Sequence, residues 1–229
     1  LPGSGDGQML FLQSAVDKMD DTFGRCAIIQ NGSPLFTGGT ASGESQIRRW
    51  LLDHDLIEAI IALPNDIFYN TGIATYIWLL SNKKAGTRRA GKVQLINASG
   101  LYEKRRKALG NKRNDIPESA IAEITRLYGD FVESDISKIF DTADFGYTKI
   151  TVERPLRDEN GQLILKKGKP QPDADLRDTE NVPLKEDIQA YFQREVLPFA
   201  PDIGKDESTG ETIVDSGTGN PFFNYNSQD

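Results

Sequence analysis

The sequence contains two apolar runs separated by a short polar segment. The runs are Leu56–Leu63 and Ala74–Leu80, and the first is rich in isoleucine and nearly free of charge. Such runs are typical of strands that are covered on both faces. The ten residues between them are too few for a helical crossover, so we expect two antiparallel neighbouring strands. The connecting loop then lies at the carboxyl end of the first strand, where open α/β sheets bind their ligands.

The loop between the runs carries side chains that suit a flat polar ring. Its polar and aromatic residues are Asn65, Asp66, Phe68, Tyr69, Asn70 and Thr71. Amides and carboxylates form hydrogen bonds with the edge of such a ring, and aromatic side chains stack on its face. The loop is therefore the first candidate ligand site in this chain.

The residues before the loop predict a helix, a strand and a second helix. Apolar residues at helical spacing predict a helix over 8–19, and a short buried strand is expected over 25–30. Ser42 is a suitable N-cap for a helix that runs to about Asp53. Strand, helix and strand form a right-handed parallel unit. The fold class is thus α/β, with a mostly parallel sheet that the run at 74–80 closes as one antiparallel edge strand.

The residues after the loop predict smaller elements and an α+β appendage. Asn160-Gly161 is a good type I′ turn, so we expect a hairpin between 150–154 and 162–166. Other expected elements are a strand over 93–97, a helix over 117–128, a linker over 168–183, a helix over 185–197 and a weakly ordered tail over 200–229. Residues 131–145 give no clear pattern.

Composition argues for a soluble cytoplasmic protein without a metal centre. The chain has 229 residues, enough for one core with a smaller appendage. No apolar run approaches the roughly 20 residues that span a bilayer, and no signal peptide is visible. The chain opens without Met, which suggests a piece of a longer protein.

One cysteine and one histidine argue against a zinc site and against a catalytic triad. Cys26 lies in an apolar run, so we interpret it as an inert thiol of a reducing cytosol rather than a nucleophile. His54 lies near a predicted helix end, where we expect a contact with the helix C-terminus or a surface position.

Positive charge is concentrated in one segment of an acidic chain. The formal net charge is −7, yet residues 83–113 contain eleven basic residues and a single acid, Glu103. Such an island predicts a polyanionic partner, and a solvated charged loop is the alternative. The candidate DNA-backbone residues in it are Lys104, Arg105, Arg106, Lys107, Lys112 and Arg113.

Two stretches match known ligand motifs only in part. The stretch Thr37–Gly43 is rich in glycine but fits neither a Walker motif nor G-x-G-x-x-G. We interpret it as a connection, with a DNA-backbone contact at the following helix start as the alternative. The stretch Asn220–Phe223 lacks the second proline of an Asn-Pro-Pro-Phe motif, and we interpret it as part of the tail.

Seven stretches, in this order and at this spacing, closely resemble the modification subunit of type I restriction-modification systems. They are Gln8–Gln13, Gly24–Phe36, Ile47–Leu52, Ile57–Pro64, Phe68–Ile73, Ser99–Asn114 and Phe145–Leu156. The resemblance covers roughly residues 1–156, and more weakly 185–225. Taken together, these motifs are highly specific.

The resemblance implies a fold, a reaction and partners. The family methylates adenine N6 in DNA with S-adenosylmethionine, and its sheet is the Rossmann-like methyltransferase type, of which this chain would hold the C-terminal half. The family's glycine-rich cofactor motif and its Asn-Pro-Pro-Phe motif are absent from this sequence. The resemblance therefore implies no catalytic residue within the chain, and the chain alone is expected to be inactive and to bind the cofactor weakly at best. The implied partners are DNA, the specificity subunit and the restriction subunit.

The resemblance also assigns residues to the target base. Phe68 best matches the aromatic residue that contacts the extruded adenine in related enzymes, and Tyr69 is the second choice. Asn31 follows its strand and is expected to face the same cleft. The alternatives are a core position for Phe68 and a strand-end turn for Asn31.

We therefore expect four segments and one of two functions. Residues 1–98 form the second half of a methyltransferase domain and 99–149 a basic loop with a helical segment. Residues 150–183 form a hairpin with a linker, and 184–229 a helix with a flexible tail. The main function is that of a DNA-modifying enzyme subunit. The alternative is a non-catalytic DNA-binding or assembly module that retains half of a methyltransferase fold.

Overall fold

A computed structural model describes residues 7–40, 42–167, 169–199 and 222–223, and its contacts divide the chain into two compact units between Phe145 and Gly146. The elements of the first unit are α1 (Gln8–Asp17), β1 (Arg25–Asn31), α2 (Ser33–Phe36), α3 (Gly43–Asp53), β2 (Ile57–Ala62), β3 (Thr75–Ser81), β4 (Lys92–Asn97), β5 (Glu103–Leu109), β6 (Lys112–Asp115), α4 (Glu118–Asp130), β7 (Ser137–Asp141) and a 3₁₀ turn (Thr142–Phe145). The predicted four-part division of the chain stays a prediction.

Five strands of the first unit form one mixed sheet in the order β1-β3-β2-β4-β7. Strand β3 is antiparallel to both β1 and β2, β4 is parallel to β2, and β7 is antiparallel to β4. The α/β class and the antiparallel β2–β3 pair are confirmed. The predicted edge position of β3 and the mostly parallel pairing are wrong, because β3 lies between β1 and β2 and only one neighbouring pair is parallel.

The apolar character of β3 explains its interior position. Trp78 is paired with Ile28 on β1 and with Ile60 on β2, and its side chain is 1% exposed. Trp78 and Leu80 belong to the core under α1 and α3, whereas Ile77 and Leu79 pack on the opposite core with α4. A strand with apolar residues on both faces is most stable inside a sheet.

The predicted helix ends are confirmed at α3. Ser42 is the N-cap, and its hydroxyl oxygen accepts a hydrogen bond from the Ser45 N–H at 3.2 Å. At the other end, the Nδ1 of exposed His54 lies 2.8 Å from the Trp50 carbonyl oxygen, which is the expected helix-end contact. Gly38 folds back on this cap, since a Cβ added there would lie 2.0 Å from the Ser42 hydroxyl. The glycine-rich stretch therefore serves as a connection.

A buried acid on β2 joins the sheet to α4. Glu58 is 2% exposed, and its carboxylate accepts hydrogen bonds from Arg25 at 3.1 Å and from the Tyr128 hydroxyl. The guanidinium of Arg89 lies between the rings of Tyr128 and Phe131, 4.4 Å from each centroid. Each buried polar group here has a partner, as an apolar environment requires. Arg89 is thus a structural member of the basic segment.

Lys84 is a second basic residue of that segment that lies inside the fold. Its side chain is 1% exposed, forms an ion pair with Asp55 and donates a hydrogen bond to the Ile57 carbonyl oxygen at 2.8 Å. Burial lowers the pKa of Lys84, and Asp55 opposes that shift. Lys84 and Arg89 are therefore not available to a polyanion, and the free positive charge lies farther along the chain.

The second unit differs from its predicted hairpin. Its elements are β8 (Gly146–Val152), β9 (Leu165–Lys166), β10 (Lys169–Pro170), β11 (Asp178–Pro183), α5 (Ile188–Tyr191) with a π-helical turn (Phe192–Val196), and β12 (Phe222–Phe223). Strand β8 pairs with β11 and not with 162–166, so the hairpin prediction and the linker prediction for 178–183 are wrong. The physical reason is apolar burial: Val182 on β11 is fully buried, whereas Leu165 is 57% exposed.

The predicted type I′ turn is wrong, because Gly161 has a positive φ but Asn160 does not; the turn spans 158–161, and an antiparallel bridge between Arg157 and Leu163 flanks it. The Gly161 N–H donates to the Asp158 carbonyl oxygen at 2.9 Å, and Gly161 has a φ of +78°. The expected tail at 200–229 lies outside the described residues except for the short strand β12.

We expect Tyr128 to make stability pH-dependent. Burial and the hydrogen bond to Glu58 raise its pKa from 10.0 to about 12. The folded protein holds this proton more tightly than the unfolded chain, so the contribution to stability is present below pH 10 and is lost as the pH rises towards 12. Urea unfolding should therefore show a steeper fall between pH 10 and pH 12 in the wild type than in Tyr128→Phe. Parallel curves for the two proteins would contradict the assigned environment.

Candidate nucleic-acid interface

The loop after β2 is fixed at both ends by the sheet. The Leu63 N–H donates to the Thr75 carbonyl oxygen at 2.9 Å, which joins the end of β2 to the start of β3. Within the loop Asp66 adopts a φ of +58°, and its carboxylate covers Gly72, where an added Cβ would lie 2.3 Å from Oδ1. The loop is therefore a folded connection that ends near the carboxyl edge of β2.

The most basic stretch of the chain forms a β-hairpin. Strands β5 and β6 are antiparallel, with Glu103 opposite Asp115 and Leu109 opposite Lys112. The register shifts between Lys104 and Leu109, so the intervening basic residues form an irregular bulged edge. The predicted basic loop is thus wrong in its conformation, because residues 103–115 pair with one another.

The hairpin is docked on the loop through backbone hydrogen bonds. The carbonyl oxygen of Asp66 accepts from the N–H of Arg113 at 2.8 Å and from the N–H of Asn114 at 3.1 Å. Farther along, the Tyr69 carbonyl oxygen accepts from the Asn111 N–H at 2.9 Å. Strand β6 therefore contacts the start of the loop at Asp66, and the hairpin turn contacts the loop at Tyr69.

Two side-chain contacts complete this docking. The Asn114 amide donates from Nδ2 to the Asn65 carbonyl oxygen at 3.0 Å, and Asn114 is only 8% exposed. The Lys112 ammonium lies 5.5 Å from the centroid of the Tyr69 ring, within the range of a cation–π contact. At the turn, Gly110 has a φ of +62° and approaches the loop so closely that a Cβ would lie 2.5 Å from the Tyr69 carbonyl oxygen.

The six predicted DNA-backbone residues divide into two groups. Arg105 and Lys112 form ion pairs with Asp115, the latter at 3.0 Å. The Lys112 ammonium and then the Arg105 guanidinium lower the pKa of the Asp115 carboxyl. The other four have exposed side chains and form no ion pair with any residue that the structure describes; they are Lys104, Arg106, Lys107 and Arg113. These four carry the free positive charge of the hairpin.

An open cleft lies along the hairpin, with Asp66 of the loop at its margin. Its volume is about 480 Å³, and its lining residues are Asp66, Tyr102, Lys104, Arg105, Ala108, Arg113 and Asn114. Three of these are basic, and the ring of Tyr102 is 41% exposed beside them. A cleft with this lining suits a planar anionic ligand such as a nucleotide.

The predicted target-base residues lie at the same end of the sheet as this cleft. Tyr69 is 65% exposed and Phe68 is half-buried in the loop. Asn31 is the last residue of β1 and is paired with Thr75, the first residue after the loop. The side-chain oxygen of Asn31 accepts hydrogen bonds from Gln8 at 2.9 Å and from the Ser33 N–H at 2.8 Å. Asn31 is therefore held at the strand end, and Tyr69 contacts the hairpin; the target-base roles of Phe68, Tyr69 and Asn31 stay predictions.

Sequence reasoning missed the residues that join loop and hairpin. Asn114 and Gly110 carry no charge, so a search for basic residues passes over them. The dipeptide Gly110-Asn111 is a hairpin signal that could have located the turn. The buried position of Asn114 depends on a partner nearly 50 residues earlier in the chain, and no local pattern encodes it.

Three features of the described residues bear on metal binding, membrane insertion and thiol chemistry. Among the described residues, no group of three or more His, Cys, Asp and Glu side chains is placed to hold a metal ion. No helix in the described ranges is long and apolar enough to cross a membrane. Cys26 is a free, half-buried thiol whose pKa is raised by burial.

The sheet, the loop between β2 and β3 and the docked hairpin define an α/β fold. Residues 1–158 match the model of the N-6 DNA methylase family. The chain belongs to this family, which confirms the resemblance to type I modification subunits and the fold class.

Three relatives illustrate the match and its extent. The MjaVIII type I methylase subunit of Methanocaldococcus jannaschii is 36% identical over 48% of this chain, and the HindI subunit of Haemophilus influenzae is 28% identical over 62%. The chain spans 18% and 26% of the length of these two proteins. The solved type I methyltransferase subunit of Streptococcus thermophilus shares 28% identity with a TM-score of 0.53, over 62% of this chain and 28% of that one.

We expect Gly110→Ala to weaken the contact between hairpin and loop. Alanine at a positive φ costs roughly 1–2 kcal/mol wherever it occurs. Gly110→Ala adds a backbone clash with Tyr69, whereas Gly91 has a similar φ of +67° and no atom within 4 Å of an added Cβ. Urea unfolding should thus show a larger loss of stability for Gly110→Ala than for Gly91→Ala. Equal losses would contradict the close approach of turn and loop.

Proposed function

We propose that this chain is part of a type I restriction-modification methyltransferase that transfers a methyl group to adenine N6 in DNA. Membership of the N-6 DNA methylase family supports the reaction class. The observation that carries the proposal is the docking of a basic hairpin on the loop that presents Phe68 and Tyr69. One surface then combines positive charge for a DNA backbone with aromatic rings for a base. Since the chain spans a small part of its relatives, the test belongs to the complete enzyme.

The proposed substrate is a base that has left the DNA stack. The adenine amine cannot be reached in the required geometry inside a duplex, so the nucleotide must be extruded. Phe68 stacks on the extruded ring, and Tyr69 stands beside it as the second candidate. Tyr69 is the more exposed of the two, but it contacts the hairpin twice. The Lys112 ammonium lies over its ring, and its carbonyl oxygen accepts a hydrogen bond from the Asn111 N–H. Phe68 is free of such contacts among the described residues.

We expect Phe68→Ala to lower methylation by the complete enzyme. Stacking of a base on an aromatic side chain is worth about 1–3 kcal/mol, so the rate under subsaturating conditions should fall by roughly five- to 150-fold. Phe68→Trp should retain part of the activity, because its ring also stacks. Transfer of labelled methyl groups to a duplex measures the effect. Unchanged methylation at unchanged stability would remove Phe68 from the base site, and Tyr69→Ala provides the matched comparison.

The proposed role of the hairpin is to hold the duplex by its phosphates. Two basic side chains of the hairpin, Arg105 and Lys112, form ion pairs with Asp115. The hairpin's basic side chains without an ion pair to a described residue are Lys104, Arg106, Lys107 and Arg113. Phosphate contacts release counterions and position the duplex, but they carry no sequence information. Target choice is accordingly assigned to a specificity subunit, as the resemblance implies.

We expect neutralisation of the hairpin to weaken binding of all DNA equally. Replacement of Lys104, Arg105, Arg106 and Lys107 by alanine should lower the affinity of the complete enzyme for target and non-target duplexes alike. The slope of log affinity against log salt should flatten by about 0.9 for each phosphate that the hairpin no longer neutralises. Fluorescence anisotropy over a salt series measures both. An unaltered slope, together with loss of binding to a partner subunit, would instead assign the hairpin to protein assembly.

The proposed methyl donor is S-adenosylmethionine, but the described residues do not fit it by themselves. The side-chain oxygen of Asn31 at the carboxyl end of β1 is already bonded to Gln8 and Ser33. Gly38 lies against the Ser42 cap, where an added Cβ would lie 2.0 Å from the hydroxyl oxygen. We therefore assign the donor site to other residues of the complete enzyme. We further propose that this enzyme works in the cytoplasm with a specificity subunit and a restriction subunit.

A further inference from the structure

Asn114 makes hydrogen bonds with two consecutive residues of the loop. Its side-chain Nδ2 donates to the Asn65 carbonyl oxygen at 3.0 Å, and its backbone N–H donates to the Asp66 carbonyl oxygen at 3.1 Å. Asn114 is 8% exposed, although it belongs to a hairpin whose neighbouring side chains are largely in solvent. A buried amide group with satisfied donors is expensive to replace, because an apolar side chain leaves the facing carbonyl group unpaired.

The loop has an unusual backbone at this point. Asp66 adopts a φ of +58°, and its carbonyl oxygen accepts from two successive N–H groups of β6. A non-glycine residue in the left-handed region persists only when its surroundings hold it there. The two N–H groups of Arg113 and Asn114 and the side-chain amide of Asn114 supply that constraint. Phe68 lies only two residues after Asp66, so the backbone conformation of Asp66 influences the position of the proposed base-binding ring.

We propose that Asn114 is the positioning residue of the base-binding loop. It acts through the carbonyl groups of Asn65 and Asp66 and fixes the direction in which Phe68 and Tyr69 are presented. This inference rests on the proposed function, because the loop needs a fixed position only if Phe68 or Tyr69 binds the extruded base. It also links the two halves of the surface, since Arg113 both bonds to Asp66 through its N–H and offers an exposed guanidinium to the DNA backbone.

The first test measures loop order directly and needs no activity. In Asn114→Ala, amide hydrogen exchange over 65–73 should accelerate at least about tenfold, whereas exchange in β2 and β4 stays unchanged. Asn111→Ala is the matched control, because Asn111 contributes only its backbone N–H to Tyr69. Asn114→Asp keeps the shape of the side chain but removes the donor, so it should behave like the alanine variant.

Two outcomes of this test would overturn the proposal. Unchanged exchange over 65–73 in Asn114→Ala would show that the loop is ordered without the amide. Equal acceleration in β5 and β6 would show that Asn114 serves only the folding of the hairpin. If the alanine variant unfolds, Asn114→Ser retains a small polar side chain and is read by the same criteria.

The second test asks whether loop position matters for methylation by the complete enzyme. Asn114→Ala should leave the KM for DNA nearly unchanged and lower kcat by roughly ten- to 100-fold, because a small displacement of a positioned group has such effects. The fluorescence of 2-aminopurine at the target position should also decrease, since fewer bases are held outside the stack. An unchanged kcat in a variant with a disordered loop would overturn the positioning role. Absence of methylation by the wild type would instead refute the proposed function and leave the exchange result standing.

Discussion

The basic and aromatic surface of this protein depends on the hydrogen bonds that join the carbonyl oxygen of Asp66 to two N–H groups of strand β6. These bonds measure 2.8 and 3.1 Å, and they hold a residue with a positive φ in place. The Asn114 amide, the Asn111 N–H and the Lys112 ammonium add further contacts between the hairpin and the loop. With them, positive charge and aromatic rings occupy one surface. The proposed chemistry uses that combination, because phosphate contacts position the duplex while an aromatic ring stacks on the extruded base.

The sheet supplies the rigid support for this surface. Because β3 lies between β1 and β2, the loop that connects β2 with β3 starts and ends on neighbouring strands of the sheet interior. Trp78 and its neighbours are packed on both faces, so the loop ends cannot shift without opening a core. Asn31 at the end of β1 lies opposite the first residue after the loop and is held by Gln8. The loop is therefore positioned by the sheet on one side and by the hairpin on the other.

The sequence predicted those parts of this arrangement that local patterns encode. The apolar runs at 56–63 and 74–80 predicted two antiparallel strands with a loop, and Ser42 predicted the start of α3. The apolar run at 74–80 is compatible with an interior strand, but it does not identify the second neighbour, because the pairing of β3 with β1 joins distant parts of the chain. Pairing of β8 with β11 was missed for a similar reason: the turn at Asn160-Gly161 is local, whereas the burial of Val182 depends on distant contacts. The charge pattern indicated a basic segment, but Lys84 and Arg89 are buried in it, and Asn114, which joins its hairpin to the loop, is uncharged.

A structure of the complete enzyme on a duplex that contains its methylation site tests the central claim most directly. The quantity to measure is the distance between the ring of the extruded adenine and the ring of Phe68, together with the positions of the neighbouring phosphates. We predict ring atoms within roughly 4.5 Å of each other and phosphates beside Lys104, Arg106, Lys107 and Arg113. An adenine bound elsewhere, with the hairpin facing another subunit and Phe68 packed in the protein interior, would contradict the proposed base site.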